Sequence, residues 1–191
     1  MATNDFNLES AVKSAVEEAF RERGHVNILI AGRTGVGKST LINSIFQGKM
    51  AKTGQGKPVT MNTREITKEG IPLSIFDTRG LEMADYKSTI NAVKSLVIER
   101  SRERDAQRHI HVGWVCIAED SRRVEKGEEE LVTLLTSHIP VVGVITKSRS
   151  DQGFRQTVLE LLPNLRNVMR VRALQEELDD EEVKKLRPGA K

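Results

Sequence analysis

The chain has 191 residues, 38% of them hydrophobic, enough to bury one substantial core and too few for two ordinary domains with a linker. Its 30 Lys and Arg stand against 27 Asp and Glu, a formal charge of +3, and the basic residues are interleaved with acidic ones, so charge alone does not call for nucleic acid. The apolar runs fall far short of the ~18–20 residues that span a bilayer, the opening MATNDFNLES is not a cationic-then-apolar leader, and a cytoplasmic protein is the expectation.

Residues 5–23 space Phe6, Val12, Ala15, Val16, Ala19 and Phe20 as on one helix face, with Gly24 as a stop. The region 1–24 therefore reads as an amphipathic helix, packed on the domain's own surface or offered to a partner. From 25 to 175, β-rich runs alternate with helical stretches. Strands are expected at 26–32, 64–67, 72–78, 109–119, 139–147 and 167–174, and helices at 38–46, 86–104, 124–137 and 154–161. Near-continuously apolar strands separated by helices predict a largely parallel α/β sheet covered on both faces, with ligands gathering at the strands' carboxyl ends. Cys116, inside such a run, reads as a small core residue. His25, His109, His111 and His138 fall near strand starts, away from that edge and without metal-ligand spacing, and read as edge or packing residues. The charged segment 176–191 reads as a solvated helix that frays.

Gly32-Arg33-Thr34-Gly35-Val36-Gly37-Lys38-Ser39 fits G-x-x-x-x-G-K-[ST] between a predicted strand and a predicted helix. Its glycines let successive N–H groups turn toward a phosphate, and the helix start adds the positive end of its dipole. Lys38 is placed to reach the terminal phosphates and Ser39 to bind Mg²⁺, and Thr40 is counted with them among the nucleotide-binding residues. At the end of SIFDTRG, Asp77 can hold Mg²⁺ through a water while the Gly80 N–H senses the γ-phosphate. The intervening GKMAKTGQGKPVTMNTREIT is rich in Gly, Lys and Thr and reads as a mobile segment. A threonine in it, Thr60 first and Thr63 second, would complete the Mg²⁺ shell only when the third phosphate is present.

The order of P-loop, mobile threonine, DTRG and strand-end Thr146-Lys147 resembles the translation-factor-related class of P-loop GTPases. DTRGLE, WVCIAEDSRR and VITK are similar to small GTPase domains near the septin, Toc and Era-like branches, the resemblance covering about residues 25–175. It implies a Ras-like fold with a mixed six-stranded sheet, GTP and Mg²⁺ binding, and slow hydrolysis to GDP. It further implies a switch in which segments 49–63 and 80–88 change order, with a protein effector or a nucleotide-dependent homodimer as partner.

Two positions depart from that pattern. In the base-reading motif [NT]-K-x-D, Arg149 takes the aspartate's place and Asp151 comes two residues late. Either Asp151 reads guanine from a longer loop or it caps the helix starting near Phe154; Val171, Arg172 and Ala173 would contact the base from the next strand end. Where Ras-like enzymes carry a water-orienting glutamine, this chain has Leu81. Unaided turnover should then be slow, with Arg33, Arg79, Arg122 and Arg123 as candidate helpers, since an arginine at the phosphates is worth roughly 10³–10⁵ in rate. For Arg122 and Arg123 the first reading is a solvated, salt-bridged turn beside Glu125 and Glu128, and the second is contact with a nucleotide or partner. The alternative function is a hydrolytically weak, nucleotide-dependent binding or dimerisation module.

Overall fold

The computed structural model describes residues 24–46, 57–60, 63–81 and 86–173. The helix expected over 5–23, the tail from 176, and the parts of the two switch segments at 47–56, 61–62 and 82–85 lie outside the described residues.

Among the described residues seven strands and four α-helices follow one another as β1 (Val26–Gly32), α1 (Lys38–Ile45), β2 (Lys57–Thr60), β3 (Thr63–Lys68), β4 (Ile71–Thr78), α2 (Tyr86–Ser101), β5 (Val112–Ala118), α3 (Lys126–Thr136), β6 (Val141–Thr146), α4 (Phe154–Leu161) and β7 (Asn167–Arg170). They form one sheet in the order β2-β3-β4-β1-β5-β6-β7. β1 pairs in parallel with β4 and β5, and β5–β6 and β6–β7 are parallel too, whereas β3 runs antiparallel to β4 and β2 to β3. The result is a mixed, mostly parallel Ras-like sheet with one strand more than the six expected. The additional strand is β2. Its sequence KPVT has no apolar alternation, and Pro58 removes a ladder donor, so it is a strand only because β3 offers an edge to pair with.

The two-residue period of β1 divides the core. Leu29 and Ala31 join Phe76, Val115 and Ile117 beneath α2, α3 and α4, while Ile28 and Ile30 join Ile75, Cys116 and Val144 beneath Leu41 and Ile42 of α1. Cys116 is fully buried, which pushes its thiol up to about 12. Expected helix and strand ends were overextended where side chains take over the backbone's hydrogen bonds. Asp105 accepts from the Gln107 N–H at 2.9 Å and fixes a 3₁₀ turn after α2, and His111 Nδ1 accepts from the Asn27 N–H at 2.9 Å just before β5. His109 bonds the Glu103 carbonyl at 2.8 Å, and His25 meets the Ser74 hydroxyl at 2.7 Å, both at strand starts. Among the described residues no helix is long and apolar enough to cross a membrane.

Candidate nucleotide site

The carboxyl ends of β1, β4, β5 and β6 open onto one edge, and the P-loop fills its centre. Gly32 ends β1 with φ +147°, and a Cβ there would strike the carbonyl oxygen of Cys116 on the neighbouring strand, so only glycine lets the chain turn out of the sheet at this point. Lys38, the first residue of α1, is buried at 8% exposure. Its Nζ donates to the carbonyls of Gly32 at 2.8 Å and Arg33 at 3.0 Å, folding the side chain back over the loop. Burial lowers the lysine pKa, with Asp77 opposing. Arg33, Thr34, Gly35 and Val36 form the turn between Gly32 and Gly37; Ser39 is exposed at its end and Thr40 half-buried.

Asp77 sits one residue from the end of β4, opposite Ile30 of β1. Burial pushes its carboxyl upward, Lys38 and then Arg64 pulling the other way. Among the described residues its Oδ1 is the one buried side-chain polar atom without a hydrogen-bond partner. A buried carboxylate oxygen with nothing to accept from is a cost the site would shed by accepting from a Mg²⁺-bound water, and a lysine beside it suits the phosphates; the residues fit a nucleotide–Mg²⁺ pair.

The D-x-x-G loop lies on the P-loop. Leu81 donates its N–H to the Gly32 carbonyl at 3.1 Å, and a Cβ on Gly80 would collide with the Thr34 backbone. The Leu81 side chain is 4% exposed and packs in the core with Leu29 and Ile90. Thr60 and Thr63, paired across β2 and β3, stand at the same edge, Thr63 beside Thr78 and buried. Two strand spacings, roughly 10 Å, separate the β2 backbone at Thr60 from β4 at Asp77. Ser39, Lys38, Asp77 and Gly80 are thus gathered around the P-loop, and Thr60 stands at the β2 end of the same edge.

Beside the P-loop lies a cavity of about 600 Å³ lined by Gly37, Thr40, Leu41, Glu119, Asp120, Arg122, Thr146, Lys147, Arg149, Ser150, Gln152, Val171, Arg172 and Ala173. Thr146, at the end of β6, donates its hydroxyl to the Val36 carbonyl and ties this wall to the P-loop. The wall itself, residues 147–153, is built around Glu119. Its Oε1 accepts from the N–H groups of Arg149, Ser150 and Asp151 at 2.8, 2.9 and 3.2 Å, and its Oε2 from the Ser148 hydroxyl at 2.6 Å and Arg170 at 3.4 Å. Burial alone would raise this carboxyl, but the hydrogen bonds from Ser148 and the three amides hold it at about 2. Arg122 donates to the carbonyls of Asp151 and Gln152 and lies over the Phe154 ring.

Asp151, one of two alternatives at the base, is committed to the other. Its Oδ1 accepts from the Arg155 N–H at 2.9 Å, capping α4, and stands 3.5 Å from Arg170 Nε, outside the cavity lining. With φ +58° at Asp151 and +44° at Gln152, the longer loop turns the carboxylate toward the helix. Arg33 and Arg123 both pair with Glu125 Oε1, at 3.2 and 2.7 Å. Glu119, Asp120 and Arg170 were not singled out from the sequence; the one available signal was the acidic pair at the very end of an apolar strand, whereas the pairing of Arg123 with Glu125 is the salt-bridged turn expected there.

A glycine-turned phosphate loop with a buried lysine, an orphaned strand-end aspartate beside it, and a Thr-Lys loop walling a cavity define the nucleotide site of a translation-factor-related P-loop GTPase domain. The chain belongs to the 50S ribosome-binding GTPase family, whose model matches residues 27–147. Among curated proteins it is 30% identical over 146 residues to the tRNA modification GTPase MnmE of Parasynechococcus marenigrum, covering 72% of this chain and 29% of that one. It is 37% identical over 93 residues to Translocase of chloroplast 159 of Arabidopsis thaliana, covering 46% of this chain and 6% of that one. The chain thus spans less than a third of these relatives' length. Among solved structures, Arabidopsis Toc33 in complex with GDP and Mg²⁺ superposes with a TM-score of 0.61 at 16% identity over 91% of this chain and 81% of that one. Toc33 with Mg²⁺ and GMPPNP gives 0.57 at 18% identity over 92% and 84%.

Proposed function

We propose that this domain binds GTP and GDP with Mg²⁺, hydrolyses GTP slowly, and uses the difference between the two states as a switch. Lys38 and the P-loop amides hold the phosphates; Ser39 and, through a water, Asp77 hold the metal; the Gly80 N–H registers the γ-phosphate; Thr60 moves in when that phosphate is present. Thr146, Lys147 and the 171–173 backbone flank the base. The observation that carries the slow rate is Leu81, which faces the core and offers the attacking water neither donor nor acceptor. The test is single-turnover GTP hydrolysis by wild type and Lys38→Ala: slow turnover that vanishes in the variant, with its melting temperature retained, supports the reading. No turnover by wild type at any protein concentration would overturn its catalytic part.

A second reading, a nucleotide-dependent dimerisation module, is favoured by the two arginines held beside the P-loop on Glu125, from which a partner could draw them. It is favoured as well by the similarity to Toc proteins, for which dimerization is described as important for the GTPase activity of atToc33 and psToc159. Light scattering after size exclusion, with GDP against a non-hydrolysable analogue, decides it: identical elution argues against self-association.

A further inference from the structure

We propose that Asp120 is the residue that reads the base, taking over the task that the displaced Asp151 does not perform. This rests on the guanine reading above. Guanine presents two adjacent donors, N1–H and the exocyclic amine, and a carboxylate that selects it must offer two acceptor oxygens inside the cavity. Among the described lining residues two carry carboxylates, Glu119 and Asp120. Glu119 already accepts from three amides, a hydroxyl and a guanidinium, which uses its lone pairs.

Asp120 is built differently. It follows Glu119 in the 3₁₀ turn Glu119–Ser121 that ends β5, and its side chain is 60% exposed at the cavity wall. Among the described residues it pairs with Lys147 Nζ, 3.0 Å from Oδ2. Lys147 belongs to the Thr-Lys pair of the base loop, so the contact brings the carboxylate to the side of the cavity where that motif acts. Each carboxylate oxygen accepts two hydrogen bonds, so Lys147 can stay paired while Oδ1 and Oδ2 each accept from the base. Arg149, in the place of the motif's aspartate, is a donor only and cannot receive either guanine proton.

Asp151 cannot be recruited cheaply. Its N–H donates to Glu119, its carbonyl accepts from Arg122 and, at 2.9 Å, from the Phe154 N–H, and its carboxylate caps α4. Turning it inward breaks the cap and the net on Glu119 together. The acceptor for guanine has therefore moved from the loop after β6 to the turn after β5, on the other side of Lys147.

The experiment is titration calorimetry of nucleotide-free wild type, Asp120→Asn and Asp151→Asn with GDP, XDP, IDP and ADP in Mg²⁺ buffer, with pyrophosphate as a control that the P-loop is intact in each. Wild type is expected to prefer GDP to XDP and ADP, and to bind IDP, which lacks the amine, roughly 10-fold or more weakly. Asp120→Asn, whose amide pairs with a xanthine carbonyl, should lose GDP affinity by roughly 10- to 100-fold and prefer XDP; Asp151→Asn should keep the wild-type ratio. A wild-type ratio in Asp120→Asn, or the reversal appearing in Asp151→Asn, overturns the proposal and leaves the guanine reading standing. Equal binding of GDP and ADP by wild type removes the guanine reading itself, and this assignment with it.

Discussion

Replacing Glu119 with glutamine tests the construction of the base loop. Glu119 is 4% exposed, and each of its oxygens faces donors only: three backbone amides on one, a hydroxyl and a guanidinium on the other. Glutamine keeps one acceptor oxygen, so whichever way its amide turns, the NH₂ group confronts one of these sets. A buried donor left without an acceptor costs about 1–3 kcal/mol. The Ser148 hydroxyl can re-aim, so the less costly orientation strands the Arg170 contact and the charge, for a loss of roughly 2–4 kcal/mol. In a chain of this size that lowers Tm by roughly 5–15 °C. The same change frees the loop that walls the cavity while leaving Lys38 and its carbonyl contacts in place, so GDP affinity should fall roughly 10-fold or more while pyrophosphate affinity holds. The effect of pH has a definite sign. A carboxyl held at about 2 against its ordinary 4.5 contributes stability that is fully present above 4.5 and is lost as the pH falls toward 2. The gap between wild type and Glu119→Gln should therefore be constant from neutral pH down to about 5 and close below it. A variant melting within about 1 °C of wild type at neutral pH, with GDP affinity unchanged, would refute the idea that this carboxylate holds the loop; so would a gap that widens on acidification.

Leu81→Gln should not rescue turnover, because the side chain faces the core rather than the phosphates; it should instead cost about 3 kcal/mol in lost burial and an unpaired amide. A tenfold gain in single-turnover rate, on the order of 1.4 kcal/mol in barrier, would show that the loop turns outward in the bound state. Glu128, 1% exposed, is pushed up to about 7 by burial, the Glu125 N–H and Arg33 opposing. Its raised pKa makes wild-type stability decline as the pH rises from 4.5 to about 7, and Glu128→Gln, which keeps an acceptor for the Glu125 N–H, should flatten that decline in a denaturant series. Asp77→Asn should weaken GDP binding in Mg²⁺ but change it little in EDTA; equal losses in both would detach Asp77 from the metal.

Features whose signal is local are legible in the order of residues alone. A P-loop is eight consecutive residues whose glycines, lysine and serine act through their own backbone, and strands buried on both faces announce themselves as apolar runs. The D-x-x-G element and the Thr-Lys pair were readable for the same reason, each being a strand end with its chemistry attached. Features that depend on partners distant in the chain are set by packing. β2 is a strand because β3 leaves an edge open. Asp151 faces α4 because Glu119, 32 residues earlier, collects the amides of its loop and sets the positive φ values that turn it. Leu81 is a core residue because its N–H is pinned to Gly32, 49 residues away. The acidic pair after β5 could not be sorted from sequence into one buried organiser and one exposed acceptor, because that division is made by which residue the β6 loop closes over, and a single chain of letters carries no record of that closure.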